Sequence, residues 1–383
     1  MYRIINKKKL YATIAADFIG NAIFLPRLLF KKREEIWPEE IREILIIRTA
    51  YIGDVVMALP LLQPVREMFT NAKISFLTSA KVKEVVENNP YVDEIITYDP
   101  FWFYDSRKKG YIDFIKDLRK RSFDLVIETR GDIREIMFLV FPLKARHKVS
   151  HNVGGGGCFL SHVVPYNGTV HRVDYHLNIA RSLGCKTFDN IEWGIYLTED
   201  EKKRVKEVLK EEGVSPDKPM IALHPGSRKE LKCWFPEGYA AVADFVASEL
   251  GVSVLLTGAP DEVPLVERVK GLMENRSVIL AGKTTLRELA GVISHCSLFI
   301  CNDSAPMHIA AAMKTPTIAI FGPSKSIETG PYGKGHTVIE KDFPCRYRCD
   351  EDVCLYKNYN QCIKDISVDD VISAVKKVML SKN

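Results

Sequence analysis

From residue 44 onward, short β-branched runs alternate with longer stretches whose apolar positions recur every three or four residues. The runs at 44–48 (ILIIR), 73–78, 94–98 and 124–129 predict strands, and the charged amphipathic sequence between them predicts helices, the first from about 53 to 69. Continuous apolar runs, as opposed to alternating ones, belong to parallel strands covered on both faces. This first α/β unit ends near Gly184, after a helix expected at 175–183. The rhythm then restarts. A charged helix at 199–212 precedes strands at 220–224, 253–257, 278–280, 298–301 and 317–321, with a last helix at 367–380. Two doubly wound units of similar size predict an α/β protein with two Rossmann-like domains facing each other across a cleft. The expected boundaries are an extension at 1–42, domains at 43–190 and 191–366, and a C-terminal helix at 367–383. No internal repeat or low-complexity segment stands out.

Composition changes this picture only at the N-terminus. The 383 residues suffice for two or three domains, and 46% hydrophobic with 27% charged residues is ordinary for a globular protein. A net charge of +5 offers no global basic field for nucleic acid. Residues 1–33, however, hold eight basic side chains against the single acid Asp17, a local +7, which leaves −2 for the rest. The stretch 10–30 is broken by Asp17, Pro26 and Arg27, short of the roughly 18 apolar residues a spanning helix needs. It lacks a small-residue cleavage site, so the chain reads as uncleaved and cytoplasmic. Thr13, Asp17 and Asn21 form a narrow polar stripe at helical spacing, bracketed by Lys7, Lys8 and Lys9 and by Lys31, Lys32 and Arg33. That pattern suits a helix lying in the plane of an anionic leaflet. The alternative is a hydrophobic helix docked on the protein's own surface.

Ligands of doubly wound sheets bind beyond the carboxyl ends of the strands, and the informative polar residues stand there. In IRTAYIGDVVMALP (47–60), Asp54 lies at a helix start, where the dipole keeps its carboxylate ionised as a proton acceptor; a plain capping role is the alternative. In HPGSRKELKCWFPEGY (224–239), Ser227, Arg228 and Lys232 hold a hydroxyl, a guanidinium and an ammonium over a strand end, a plausible diphosphate clamp. In CNDSAPMHIAAAM (301–313), Asp303 or Ser304 caps a helix with Pro306 in its first turn, and the exposed N–H groups form an anion site. His308 is either a core histidine or a group that reaches phosphate or sugar. Glu262 follows the strand at 253–257 and suits sugar hydroxyls, while Thr284 lines a candidate nucleoside pocket.

These segments, with LLTGAPDE and GKTTLREL, resemble glycosyltransferase family 9, the ADP-heptose:lipopolysaccharide heptosyltransferases, in unbroken order from about residue 43 to the C-terminus. The resemblance implies a GT-B fold with an N-terminal acceptor domain and a C-terminal nucleotide-sugar domain. It further implies inverting, metal-independent transfer of heptose from ADP-heptose to the lipopolysaccharide inner core, with no cofactor. Asp54 falls on the family's catalytic base and Lys232 on its phosphate-binding lysine. Glu262 matches the ribose-contacting carboxylate, Asp303 and His308 the polar pair at the donor's sugar and diphosphate, and Thr284 a position near adenine. Beside Ser227 and Arg228 the spacing to Lys232 is one residue longer than in some members. The expected partners are ADP-heptose, a lipid A-core acceptor and the inner face of the inner membrane. An anionic acceptor makes Arg130 and Arg134 candidates on the first domain; the alternative for Arg134 is a solvated helix residue. A transferase using another nucleotide sugar, or a non-catalytic nucleotide-sugar-binding protein, are the competing readings, with a sugar-nucleotide epimerase more distant.

Two further segments stay open. The glycine run 154–157 reads as a mobile loop near the acceptor or as a pure connector. Cys345, Cys349, Cys354 and Cys362 lack the paired C-x2-C knuckles of a zinc ribbon, so metal ligation, a disulfide and free thiols are all open, with no catalytic role.

Overall fold

Ile44, Leu45, Ile46 and Ile47 expose no surface to solvent, as a strand covered by helices on both faces requires. They form the centre of the first of two sheets in the computed structural model, which describes residues 11, 13–15, 17–20, 22–23, 34–104, 110–166, 168–345, 349 and 353–380. The chain divides into two units, one ending at Trp193 and the other beginning at Gly194.

In the first unit β1 (Glu43–Ile47), β2 (Lys73–Thr78), β3 (Glu94–Thr97), β4 (Phe123–Glu128), β5 (Ala145–His151) and β6 (His162–Val164) lie in the order β3-β2-β1-β4-β5-β6. Every pairing is parallel. The second unit holds β7 (Met220–His224), β8 (Ser253–Leu256), β9 (Val278–Ile279), β10 (Leu298–Asn302), β11 (Thr317–Phe321) and β12 (Thr337–Glu340), in the order β12-β11-β10-β7-β8-β9. Counted within each unit the order is the same: third, second, first, fourth, fifth, sixth. Right-handed crossovers that bury both sheet faces generate this order without any sequence repeat.

Three strands lie outside the runs the sequence pattern predicts. β5 buries His147, Lys148, Ser150 and His151, so its inward positions read as surface. β6 and β12 lie at sheet edges and are short or half-buried. The single helix expected at 53–69 resolves into Ile52–Ala58, a 3-10 turn Leu59–Leu61 and Leu62–Met68. Pro60, which lacks a backbone donor, stands at the interruption. The glycine run is likewise no loose connector. It joins β5 to β6, Gly154 pairs with Asp132 as an isolated parallel bridge, and Gly157–Phe159 forms a 3-10 turn.

The final helix, Val368–Leu380, belongs to the core of the second unit. Val371 and Val375 are buried in one cluster with Ile221, Val254 and Ile300 of the sheet. Trp234, 1% exposed, donates from Nε1 to the Ile366 carbonyl at 2.9 Å and so ties the segment after β7 to this helix.

Candidate functional site

In both sheets the strand order reverses beside the first strand of the unit, between β1 and β4 and between β7 and β10. Two strands that send their crossovers to opposite faces leave an open crevice at their carboxyl ends. The candidate residues are distributed over these two places.

In the first unit, β1 runs out at Ile47 and Arg48 follows at its tip. The helix Ile52–Ala58 starts four residues after Arg48, with Tyr51 at its cap at positive φ (43°), a costly backbone state for a residue with a side chain. Asp54 sits in the first turn of that helix, 2.9 Å from the Arg48 guanidinium, with side chains 27% and 5% exposed respectively. Burial pushes the Asp54 carboxyl up, but Arg48 first, then Arg130 and Arg172, outweigh it and hold the group below its ordinary value. His176, buried on the helix Arg172–Leu183, bonds the Met57 carbonyl through Nδ1 at 2.9 Å; burial and then Arg48 hold it well below the usual range, hence neutral.

Arg130 follows β4, and its guanidinium lies 4.2 Å from the centre of the Phe103 ring, with that of Arg134 at 4.6 Å from the same ring. Arg134 is locked onto Asp132 through Nε (2.9 Å) and Nη2 (2.7 Å), whereas Arg130 approaches Asp132 only to 3.7 Å and keeps a buried Nη1 without a hydrogen-bond partner. A desolvated cation with an unused donor is suited to an anionic ligand. Beneath it, Glu128 accepts from the Arg130 and Gly131 amides (2.8 and 2.7 Å) and from Ser150 Oγ (2.5 Å). Glu135, equally buried, accepts from the Thr49 hydroxyl. Burial first, and then Glu135 beside it, push the Glu128 carboxyl well above the carboxylate range.

In the second unit, β7 ends in His224, Pro225 and Gly226, and a 3-10 turn Glu230–Lys232 aims Lys232 inward. Lys232 Nζ stands 3.0 Å from Asp303 Oδ2, and both side chains are nearly buried. Ser227 donates its hydroxyl to the Asp303 carbonyl at 3.1 Å. Asn302 knits the two strand ends together, accepting from the Trp234 amide (3.0 Å) and donating to the Pro225 carbonyl (2.7 Å). Ser304, not Asp303, is the cap of the helix Ala305–Ala312, which carries Pro306 in its first turn. The Ser304 hydroxyl makes no cap bond and has no hydrogen-bond partner, although it is buried. His308, 6% exposed, lies in the first turn and a half of this helix.

Glu262 reaches across to the same strand end. Its carboxylate accepts from the Ala259 amide at 2.7 Å and lies 3.4 Å from His224 Nε2. A Cβ at Gly226 would fall 2.1 Å from Glu262 Oε1, so only glycine leaves room for the carboxylate there. Burial lowers His224 to about 4 and raises Glu262. The contact is therefore one between a neutral imidazole and the Glu262 carboxyl. Arg228 is exposed, and Thr284 is half-buried just before Thr285, the cap of the helix Leu286–His295.

Within the first unit Asp54 and Arg130 come together, with Arg134 one ring away; within the second, Ser227, Lys232, Asp303, Ser304 and Glu262 converge, while Arg228 projects from the loop. The sequence reading passed over Arg48, which stands inside the quoted segment at a strand tip, and Arg172, at a helix start. It also passed over Asp132, Phe103 and the Glu128–Glu135 pair, which no local spacing links. Among the described residues no group of three or more His, Cys, Asp or Glu is arranged to hold a metal ion. Cys345, Cys349, Cys354 and Cys362 are free thiols; burial pushes Cys362 up to about 11 and raises Cys345.

Residues 111–360 match the family model described as glycosyltransferase family 9 (heptosyltransferase). Lipopolysaccharide heptosyltransferase 3 of Escherichia coli K12 is 30% identical over 345 residues, covering 86% of this chain and 96% of the relative. Among solved structures, the family 9 glycosyl transferase from Veillonella parvula superposes with a TM-score of 0.77 at 24% identity, over 89% of this chain and 97% of that one. The Escherichia coli ADP-heptose lps heptosyltransferase II gives 0.71 at 21% identity, over 89% and 99%.

Proposed function

The chain belongs to glycosyltransferase family 9, with the two Rossmann-like domains of the GT-B fold, and from that premise we propose that it transfers heptose from ADP-heptose to the inner core of lipopolysaccharide with inversion. The observation that carries the reading is the pairing of chemistries at the two switch points. An ionised carboxylate braced by a cation stands at one, and a lysine over a helix start stands at the other.

In a single displacement the acceptor hydroxyl oxygen attacks the anomeric carbon as the bond from that carbon to the diphosphate breaks. The acceptor proton passes to Asp54, and ADP leaves with the bonding pair. Arg48 keeps Asp54 ionised across the physiological range, which ensures that the acceptor of the proton is present. It also makes Asp54 a weak base, so transfer of the proton must accompany bond formation, when the hydroxyl has become acidic. Lys232 and the amides opening the helix Ala305–Ala312 receive the charge that builds on the departing diphosphate, with Ser227 and Arg228 at its rim. Ser304 and His308 face the donor sugar and phosphates. Glu262 takes ribose hydroxyls, and Thr284 borders the base. Asp303 positions Lys232 through its ion pair. Arg130, with Arg134 behind it, receives the anionic groups of the acceptor.

The acceptor is lipid-borne, so the enzyme works peripherally at the inner face of the inner membrane. No helix among the described residues is long and apolar enough to cross a membrane. The test is a transfer assay with a lipid-free core oligosaccharide and a panel of nucleotide sugars, read as ADP release and product mass. ADP-heptose should be the productive donor. Asp54→Asn should bind ADP-heptose as the wild type does while turning over ~100-fold or more slowly, the scale of lost general-base assistance. Productive transfer from another nucleotide sugar alone would reassign the donor, and donor binding without transfer would make the chain a binding protein.

A further inference from the structure

The N-terminal helical residues are turned inside out relative to an ordinary surface helix. Thr13 and Asp17, on the polar stripe, are buried, whereas Tyr11, Phe18, Ile19 and Ile23 are 58–76% exposed and Ile14 is 40% exposed. A helix that faces water normally does the reverse. Asn21, the third member of the stripe, lies outside the described residues.

The polar face is seated on the glycine run between β5 and β6. Asp17 Oδ1 accepts from the Gly156 amide at 2.7 Å, and this carboxylate is the stripe's one charge. The fit admits nothing larger than glycine: a Cβ at Gly155 would lie 2.6 Å from Thr13 Cγ2, and one at Gly20 would lie 2.9 Å from Cys158 Sγ. Gly155 and Gly156 also have φ of 92° and 87°, which favours glycine independently. From this seat the connection to the first-unit site is short. Gly154 donates its amide to the Gly131 carbonyl at 2.8 Å, and Gly131 follows Arg130 directly. The exit from the segment is held as well. Arg146 of β5 pairs with Glu34 (3.2 Å) and Glu40, and His162 Nε2 bonds the Glu34 carbonyl at 3.0 Å.

We infer that the outward face carrying Tyr11, Ile14, Phe18, Ile19 and Ile23 is a docking surface for an anionic lipid bilayer, clamped through Asp17 and the glycine run to the acceptor side of the first domain. The charge of the segment commits the face to that occupant. The sequence of residues 1–33 carries eight basic residues in two clusters on either side of the apolar stretch, a composition that attracts anionic headgroups, and the exposed aromatic and aliphatic side chains suit the acyl boundary. A protein partner or a second copy would need an acidic rim, and the segment itself has one acid, which is turned inward. The inference deepens the function proposed above and rests on it in one respect, the lipid-borne acceptor. Because the helix is clamped and not tethered, docking holds the Arg130 loop at a set place relative to the leaflet that presents the acceptor.

The experiment uses the full chain and vesicles of phosphatidylethanolamine and phosphatidylglycerol, first without substrate. The wild type should sediment with these vesicles at low salt and progressively less as salt rises. The double variant Phe18→Glu/Ile19→Glu, at exposed positions, should lose roughly tenfold or more of that binding while keeping wild-type turnover on the lipid-free acceptor. Asp17→Ala should retain vesicle binding yet transfer more slowly to acceptor embedded in vesicles, with the lipid-free rate unchanged. Vesicle binding by the double variant equal to wild type would overturn the inference, as would a wild-type dimer that the double variant converts to monomer. Equal transfer by Asp17→Ala on both acceptors would overturn the clamp. Failure of the wild type to use any lipid-free acceptor would count against the transferase reading alone, since vesicle binding is measured without it.

Discussion

Arg48 illustrates how one side chain sets the behaviour of another. Its guanidinium, nearly buried at the tip of β1, is the largest of the influences that lower the Asp54 carboxyl against the opposing effect of burial. Arg48→Met should therefore raise the Asp54 pKa, because burial then acts with less opposition. The measurable consequence is in the pH profile of turnover: the acid limb of the wild type should lie below the ordinary carboxylate range, and the variant's limb should move to higher pH. A limb that stays in place would remove Arg48 from this role. Lys232 poses a different case, since it is paired with a buried acid. Lys232→Ala should weaken ADP and ADP-heptose together by about 10- to 100-fold, the loss of one charge-assisted contact worth roughly 1.5–3 kcal/mol, and should barely affect adenosine. It also strands Asp303 in a site only 7% exposed, so a drop in melting temperature is expected with it. The double variant Lys232→Ala/Asp303→Asn separates the two effects: stability should recover and the ADP affinity should not.

At the scale of elements, the turn leaving β4 rests on two buried carboxyls. Glu128 on the strand and Glu135 on the short helix Ile133–Glu135 are both closed to water, and burial with Glu135 beside it favours the protonated form of Glu128 while Glu128 accepts from the Arg130 and Gly131 amides. A carboxyl whose folded-state pKa is raised contributes stability that is complete below its unfolded value, about 4.3, and is lost as pH rises through the folded value. The wild type should thus lose melting temperature as pH climbs from about 5 upward. In Glu135→Gln a neutral amide replaces the acid that helps raise Glu128, so the curve should flatten and the variant should be the more stable of the two at alkaline pH. Differential scanning calorimetry over that range decides it; parallel curves would mean that the pair is not the titrating element. The same turn shows why part of the site escapes a reading of the sequence. Asp54 and Lys232 stand in short segments whose strand–turn–helix grammar is visible locally. Arg48 belongs to the stretch of Asp54, whereas Arg130 and Glu135 follow β4, and only parallel pairing of β1 with β4 makes the two stretches neighbours.

At the scale of the whole molecule, each unit carries its own core. Leu45, Ile47, Val126 and Leu139 cluster in the first, and Ile221, Val254, Ile300 and Val375 in the second. A fragment beginning at Gly194 should fold and bind ADP, because every residue proposed to hold the nucleotide lies within it. Isothermal titration on that fragment tests the prediction, and a soluble, cooperatively melting fragment without ADP affinity would contradict it. What the sequence alone determined is the fold class and most of the strands, and it placed polar residues at the strand ends. Apolar runs, helix periods and strand-end polar residues are local signals that neighbours along the chain already express. It also marked residues 10–30 as an apolar helix with one polar stripe. Only the tertiary structure decided which face of that helix is buried, because the choice depends on what it meets: a glycine run without Cβ atoms that offers amide donors, against which a carboxylate and a threonine fit and a row of large apolar side chains does not. The polar strand β5 was hidden for a related reason. Its Lys148, Ser150 and His151 find partners inside the protein that no count of hydrophobic positions can anticipate, since burial of a polar group is settled largely by the hydrogen bonds waiting for it.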